Sequence, residues 1–141
     1  MAYASRQDME DLWGVDFVSQ LLAADVDGDV AIARALERAS ADIDLHLSAR
    51  YTTPIAGNPL GLVTPAVNIA VYNLAIKHAV LTKTIEDRFK AAIAMLERIA
   101  DGKAGLGENE PSVSSDGDGD SSSGGAYFEA NERRFSRRTL P

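Results

Sequence analysis

Between Asp29 and Pro54 the chain reads DVAIARALERASADIDLHLSARYTTP, and Ile32, Leu36, Ala39, Ile43 and Leu47 recur in it at spacings of four, three, four and four. Those spacings put all five side chains on one stripe of a 3.6-residue period, so this stretch has to lay a long helix against a core. Arg34, Glu37, Arg38, Asp42 and Asp44 fall mostly off the stripe and are expected in solvent. An acidic turn, Asp25-Val26-Asp27-Gly28-Asp29, precedes the helix; Gly28 is expected to make the turn and Asp29 to cap the helix. The helix is expected to stop at Arg50-Tyr51. Pro54, Pro59 and Pro65, with Gly57 and Gly61, then exclude helix through a loop of about a dozen residues, a length that in small domains is often functional.

The remaining helices arrange themselves around this one. Ser5 with Asp8 reads as a capped start and Gly14 as a stop, with Met9, Leu12 and Trp13 on one face between them. A second short helix over 15–24 would bury Phe17, Leu21 and Leu22. Thr64-Pro65 suits a helix start, and the AVNIAVYNLAIKHAVL that comes next is apolar nearly all round, which marks the central helix. Polar interruptions at Asn68, Asn73, Lys77 and His78 make the segment 66–81 too short and too polar to span a bilayer, and no membrane partner is expected. Thr84 with Asp87 starts a last helix that Gly102 ends, carrying a stripe of Ile85, Phe89, Ile93, Leu96 and Ile99. The expected fold class is all-α: a small bundle of four to five helices with a long Pro-rich loop and a flexible C-terminal arm.

Composition divides the chain into three regions: a helical core over 1–107, an acidic Ser/Gly/Asp-rich linker over 108–125, and a docking arm over 126–141. The linker holds one aliphatic side chain, Val113, and cannot offset its ordering entropy alone in water. Its Asp116, Asp118 and Asp120 alternate with glycines that leave the carboxylates unplaced, so a tether is the better reading than a cation site. The chain then regains aromatics and charge in AYFEANERRFSRRTLP, a short adhesive segment on a flexible tether. The formal net charge is -7, which argues against coating nucleic acid, yet residues 126–141 carry four Arg against two Glu. RRFSRR, with Phe135 between two Arg pairs, therefore keeps open an alternative in which the protein is a small helical DNA-binding regulator.

Chemistry is sparse. With no cysteine, no disulfide, thiolate nucleophile or Cys-based metal site can form. His46 stands one turn from Asp42 and one from Arg50, a polar row that could orient a base or hold two metal ligands; with no third ligand or nucleophile it reads as a solvated face. His78 reads as a core-edge histidine with a satisfied hydrogen bond. A calcium loop starting at Asp25 would need Gly at its sixth position and Glu at its twelfth, where the chain has Val30 and Leu36. No phosphate-binding glycine loop and no HExxH occurs. Neither an enzyme nor a cofactor is expected.

Four stretches in order resemble the Mu-type phage head–tail adaptor (head-completion) family. MAYASRQDMEDLWG resembles its opening helix; DVDGDVAIARALERASADIDLHLSARYTTPI its acidic turn, long helix and Arg-Tyr-x-x-Pro exit; FKAAIAMLERIADGKAGLG its final core helix; RRFSRRTLP its ending. The resemblance covers 1–107 and about ten residues of the tail, passing over 108–125. The family's tail usually has an acid after Ser-Arg and ends Gly-Phe or similar, where this chain has Arg138 and Thr139-Leu140-Pro141. The resemblance implies a structural protein of the virion neck, present in the host cytoplasm during assembly. It would form a closed ring of about 12 copies below the portal protein. The ring would extend a channel that double-stranded DNA crosses without sequence recognition, and offer a surface to a tail-side completion or terminator protein. An acidic lumen would repel DNA and let it slide. The interface expected on this reading includes Arg50, Tyr51 and Pro54 at the helix exit, with the loop from Thr52 to Val63 meeting a neighbour. In the arm it includes Tyr127, with Phe128, Phe135 and Leu140 as anchors and Arg133, Arg134, Arg137 and Arg138 pairing with carboxylates.

Overall fold

The structure, a computed structural model, describes residues 1–108, 110, 111 and 113, and all regular structure among them is helical. Five α-helices run in order: α1 (Arg6–Trp13), α2 (Val15–Leu21), α3 (Gly28–Leu47), α4 (Val63–Lys77) and α5 (Lys83–Ala100), with a 3-10 turn at Leu60–Leu62 before α4. The chain is thus an all-α small bundle, as its periodicities predict.

α1 opens with the expected box: the Ser5 hydroxyl accepts from the Asp8 N–H, and the Asp8 carboxylate accepts in return from the Ser5 N–H at 2.7 Å. Gly14 ends it at φ 91°, a conformation L side chains rarely adopt. Of its three expected core residues only Met9 is fully buried. Trp13 stacks on Phe17 with centroids 4.9 Å apart at the core edge, and Leu12 is exposed. α2 stops at Leu21, and Val18 rather than Phe17 is its deepest residue.

All five stripe residues of α3 are buried, together with Ala35 and Ser40. Its cap is Asp27, not Asp29: the Asp27 carboxylate accepts from the Asp29 and Val30 N–H groups at 3.1 and 3.2 Å, and Gly28 is the first helical residue. Asp44 is half-buried and accepts from the Tyr3 hydroxyl, so it is not a free surface acid.

α4 is the centre, with nine buried residues, and both α3 and α5 make their largest contacts with it. It starts at Val63, directly out of the 3-10 turn, so Pro65 occupies its third position and Thr64 is not its cap. Leu60–Lys77 together is long and apolar enough to cross a bilayer by length and composition, contrary to the expectation for this region. Its burial (56%) is that of a core helix, since three neighbouring helices cover it. α5 is capped by Thr82, two residues before the expected Thr84, and the chain leaves it through Gly102 at φ 76°. Ile85, Ala92, Leu96 and Ile99 are buried, while Phe89 stacks on Tyr72 at 3.8 Å from the core edge.

Candidate functional site

The two ends of the bundle hold its polar machinery. At one end α3 finishes, and the N–H groups of Arg50 and Tyr51 both return to the Leu47 carbonyl at 3.0 and 2.9 Å. That turn sends the two side chains in different directions. Tyr51 goes into the core, 1% exposed. Arg50 reaches across to α5, where its guanidinium donates to the Ile99 carbonyl at 2.6 Å and the Ala104 carbonyl at 3.3 Å, lies 5.1 Å from the Tyr51 ring centre and 4.0 Å from the Glu110 carboxylate. The last carbonyls of a helix lack intrahelical partners and carry its negative dipole end, so a cation there serves both needs.

Around this exit three further segments meet. The Tyr51 hydroxyl donates to the Glu110 carboxylate. Tyr3, equally buried, donates its hydroxyl to Asp44, accepts the Ile55 N–H at 2.7 Å, and donates its own N–H to the Ser40 hydroxyl at 2.9 Å. The Ser40 hydroxyl in turn donates to the Leu36 carbonyl at 2.8 Å. Burial first, then the bond to a carboxylate, pushes both tyrosine hydroxyls up to about 12. Gly61 completes the junction: a Cβ there would stand 2.7 Å from the Leu106 carbonyl oxygen, so the chain leaving α5 crosses directly over the 3-10 turn.

At the opposite end Asp25 joins the α2–α3 turn to the end of α4. Its carboxylate takes Lys77 Nζ at 2.5 Å and His78 Nε2 at 2.7 Å. The Lys77 bond, followed by that of His78, holds the Asp25 carboxyl below its ordinary value. His78 is the satisfied core-edge histidine that its apolar helix predicts. Beside this contact a cleft of about 490 Å³ opens between α3 and α4, lined by Asp25, Asp27, Arg34, Arg38, Asn73 and Lys77 among others.

Of the residues singled out in the sequence, Arg50 and Tyr51 are thus engaged inside the subunit, and Pro54 is exposed after a cis peptide bond from Thr53. Asp42 and His46 remain half-buried on α3, but Arg50 lies beyond the helix and does not extend their row. Tyr127, Phe128, Arg133, Arg134, Phe135, Arg137, Arg138 and Leu140 lie outside the described residues, as do Asp116, Asp118 and Asp120. Sequence reasoning missed Tyr3 and the Asp25 clasp. An aromatic two residues before a helix cap was the available signal for the first; the second is a non-local pairing with none.

A central apolar helix flanked by two amphipathic ones, closed at one end by buried tyrosines and a helix-capping arginine, defines a small five-helix all-α domain. The family described as Bacteriophage Mu, Gp36 matches residues 3–123, and the chain belongs to it. It is therefore a protein of a Mu-type phage family. The match takes in the acidic segment that the sequence resemblance passes over, and ends before the arm. A search of the curated proteins gives no match.

Proposed function

We propose that the protein is a head–tail connector of a Mu-type virion, a ring-forming adaptor below the portal that extends the DNA channel and carries the tail-docking surface. The observation that carries the reading is membership of the phage Mu family across the whole helical core. The loop end is compatible with it in a specific way. Because Arg50, Tyr51 and Tyr3 use their polar groups within the subunit, the loop after α3 is held from inside, and it turns Thr52, Pro54, Ala56 and Leu60 outward. In this assignment Pro54 and Leu60 meet the neighbouring subunit or the portal, while Arg50 and Tyr51 set the shape that does so. The arm over 126–141 supplies the second contact, and the role involves no bond chemistry.

The test is the native mass of the purified protein, alone and mixed with the portal ring of its own phage. A small species that joins the portal as a defined ring is expected. A protein that stays small and ignores the portal overturns the connector reading.

A further inference from the structure

The turn end leaves much apolar surface outside. Val26 is fully exposed, and Val30, Ile76, Val80 and Leu81 are each 43–52% exposed. The bonds from Asp25 to Lys77 and His78 hold the two turns that carry them side by side, so these five aliphatic side chains share one end of the bundle. Carboxylates stand at the same end: Asp27 and Asp29 where α3 begins, Glu86 and Asp87 where α5 begins. Asp29 faces Arg6, Glu86 faces Lys90 and Asp87 faces Lys83, all pairs open to solvent that an incoming guanidinium can displace.

We propose that this end face seats the C-terminal arm, residues 127–140, of a second copy of the chain. The inference rests on the connector reading for treating the arm as a docking element, and adds where it docks. Chemical complementarity is the first argument. The arm combines apolar anchors, Phe128, Phe135 and Leu140, with four arginines, and the end face sets exposed aliphatics among carboxylates. Arginine and aromatic side chains are the usual anchors of such contacts. Reach is the second argument. The described chain leaves from the other end of the bundle, where Leu106 crosses Gly61 and Glu110 meets Tyr51. The 20 residues of α3 separate the ends by about 30 Å. The 13 residues from 114 to 126 are rich in Gly and Ser, a composition whose average span at that length is about 20 Å. A subunit's own end face lies beyond that average, within reach only when the segment is drawn out at an entropic cost, whereas a second copy can bring its end face up to the departure point. The contact joins unlike surfaces, so it repeats from copy to copy and closes as a ring or continues as a filament.

The absence of cysteine makes the test direct. Full-length Val26→Cys is mixed with full-length Ser136→Cys and bridged with a short bis-maleimide, both free and with the portal present. Val26 is fully exposed, so the fold is unaffected, which circular dichroism checks. A bridged heterodimer several-fold above that from a Leu45→Cys and Ser136→Cys pair, suppressed by high salt and by Val30→Asp with Val80→Asp, is the expected result. No excess over the control pair, free or on the portal, overturns the proposal. Efficient bridging within one chain of the double variant at high dilution overturns it in favour of the subunit's own end face. The two readings fail separately. A portal ring without the bridge leaves the connector standing and removes this seat; the bridge without portal binding does the reverse.

Discussion

The loop end and the turn end of the bundle are built from similar materials and use them in opposite ways. Both bring a carboxylate to a hydrogen-bond donor across a long sequence separation: Glu110 to Tyr51 and Asp44 to Tyr3 at one end, Asp25 to Lys77 and His78 at the other. At the loop end the donors are aromatic hydroxyls whose rings fill the core, and the arginine beside them caps a helix. At the turn end the clasp lies at the rim, and the large aliphatic side chains beside it face water. One end is closed on itself. The other is tied only enough to hold a face open. The lesson is that a buried aromatic with a polar tip can anchor loops that helical packing alone does not reach, because ring and hydroxyl satisfy different neighbours.

The comparison breaks most easily at Tyr51. Replacing it with Ala removes a buried ring together with its bond to Glu110, and is expected to cost about 3–5 kcal/mol in urea unfolding. Val26→Asp at the turn end should move stability by no more than about 0.5 kcal/mol. Equal costs at the two positions would erase the distinction.

A pH titration sharpens it. Tyr3 and Tyr51 have hydroxyls raised from 10.0 to about 12 in the folded state, so their contribution is complete below pH 10 and is lost as pH rises towards 12. Each should reduce stability by roughly 1 kcal/mol per pH unit across that window, and Tyr51→Phe should remove its share of the slope. Unfolding midpoints that stay flat through this range in the wild-type protein would contradict the buried-hydroxyl account.

The smallest effect belongs to the turn end. Asp25 is held below its ordinary value of 3.8, so the stability it lends is present above that value and is lost as pH falls through its lowered folded value. Asp25→Asn should flatten the acid limb of the stability profile slightly. An acid limb identical to that of the wild-type protein would contradict the clasp.

The sequence made the elements legible and left their joints obscure. Ile32 to Leu47 announced α3 through periodicity, and the nearly unbroken apolarity of 66–76 announced the central helix, because burial along a helix leaves a repeating signal. Caps were harder. Asp27 and Asp29, or Thr82 and Thr84, are chemically equivalent candidates two residues apart, and residue type alone does not choose between them. Tyr3 and Tyr51 sit outside helices, where no period exists to mark them as core. Arg50 was noticed as part of a motif, but its place on the carbonyl of Ile99 depends on a helix that begins more than thirty residues later. The candidate arm, outside the described residues, was legible as composition and in the resemblance of RRFSRRTLP.

Gly61 has a consequence for how such a chain can vary. Because its missing side chain lets the Leu106 backbone lie against the 3-10 turn, the chain beyond Leu106 leaves from the body of the bundle rather than from the end of α5. If residues 127–140 dock as proposed, insertions or deletions downstream would act like letting out or shortening a mooring line: they would alter the reach of the segment without altering where it is made fast. A side chain at Gly61 would do the opposite, leaving the line's length alone and slipping its cleat.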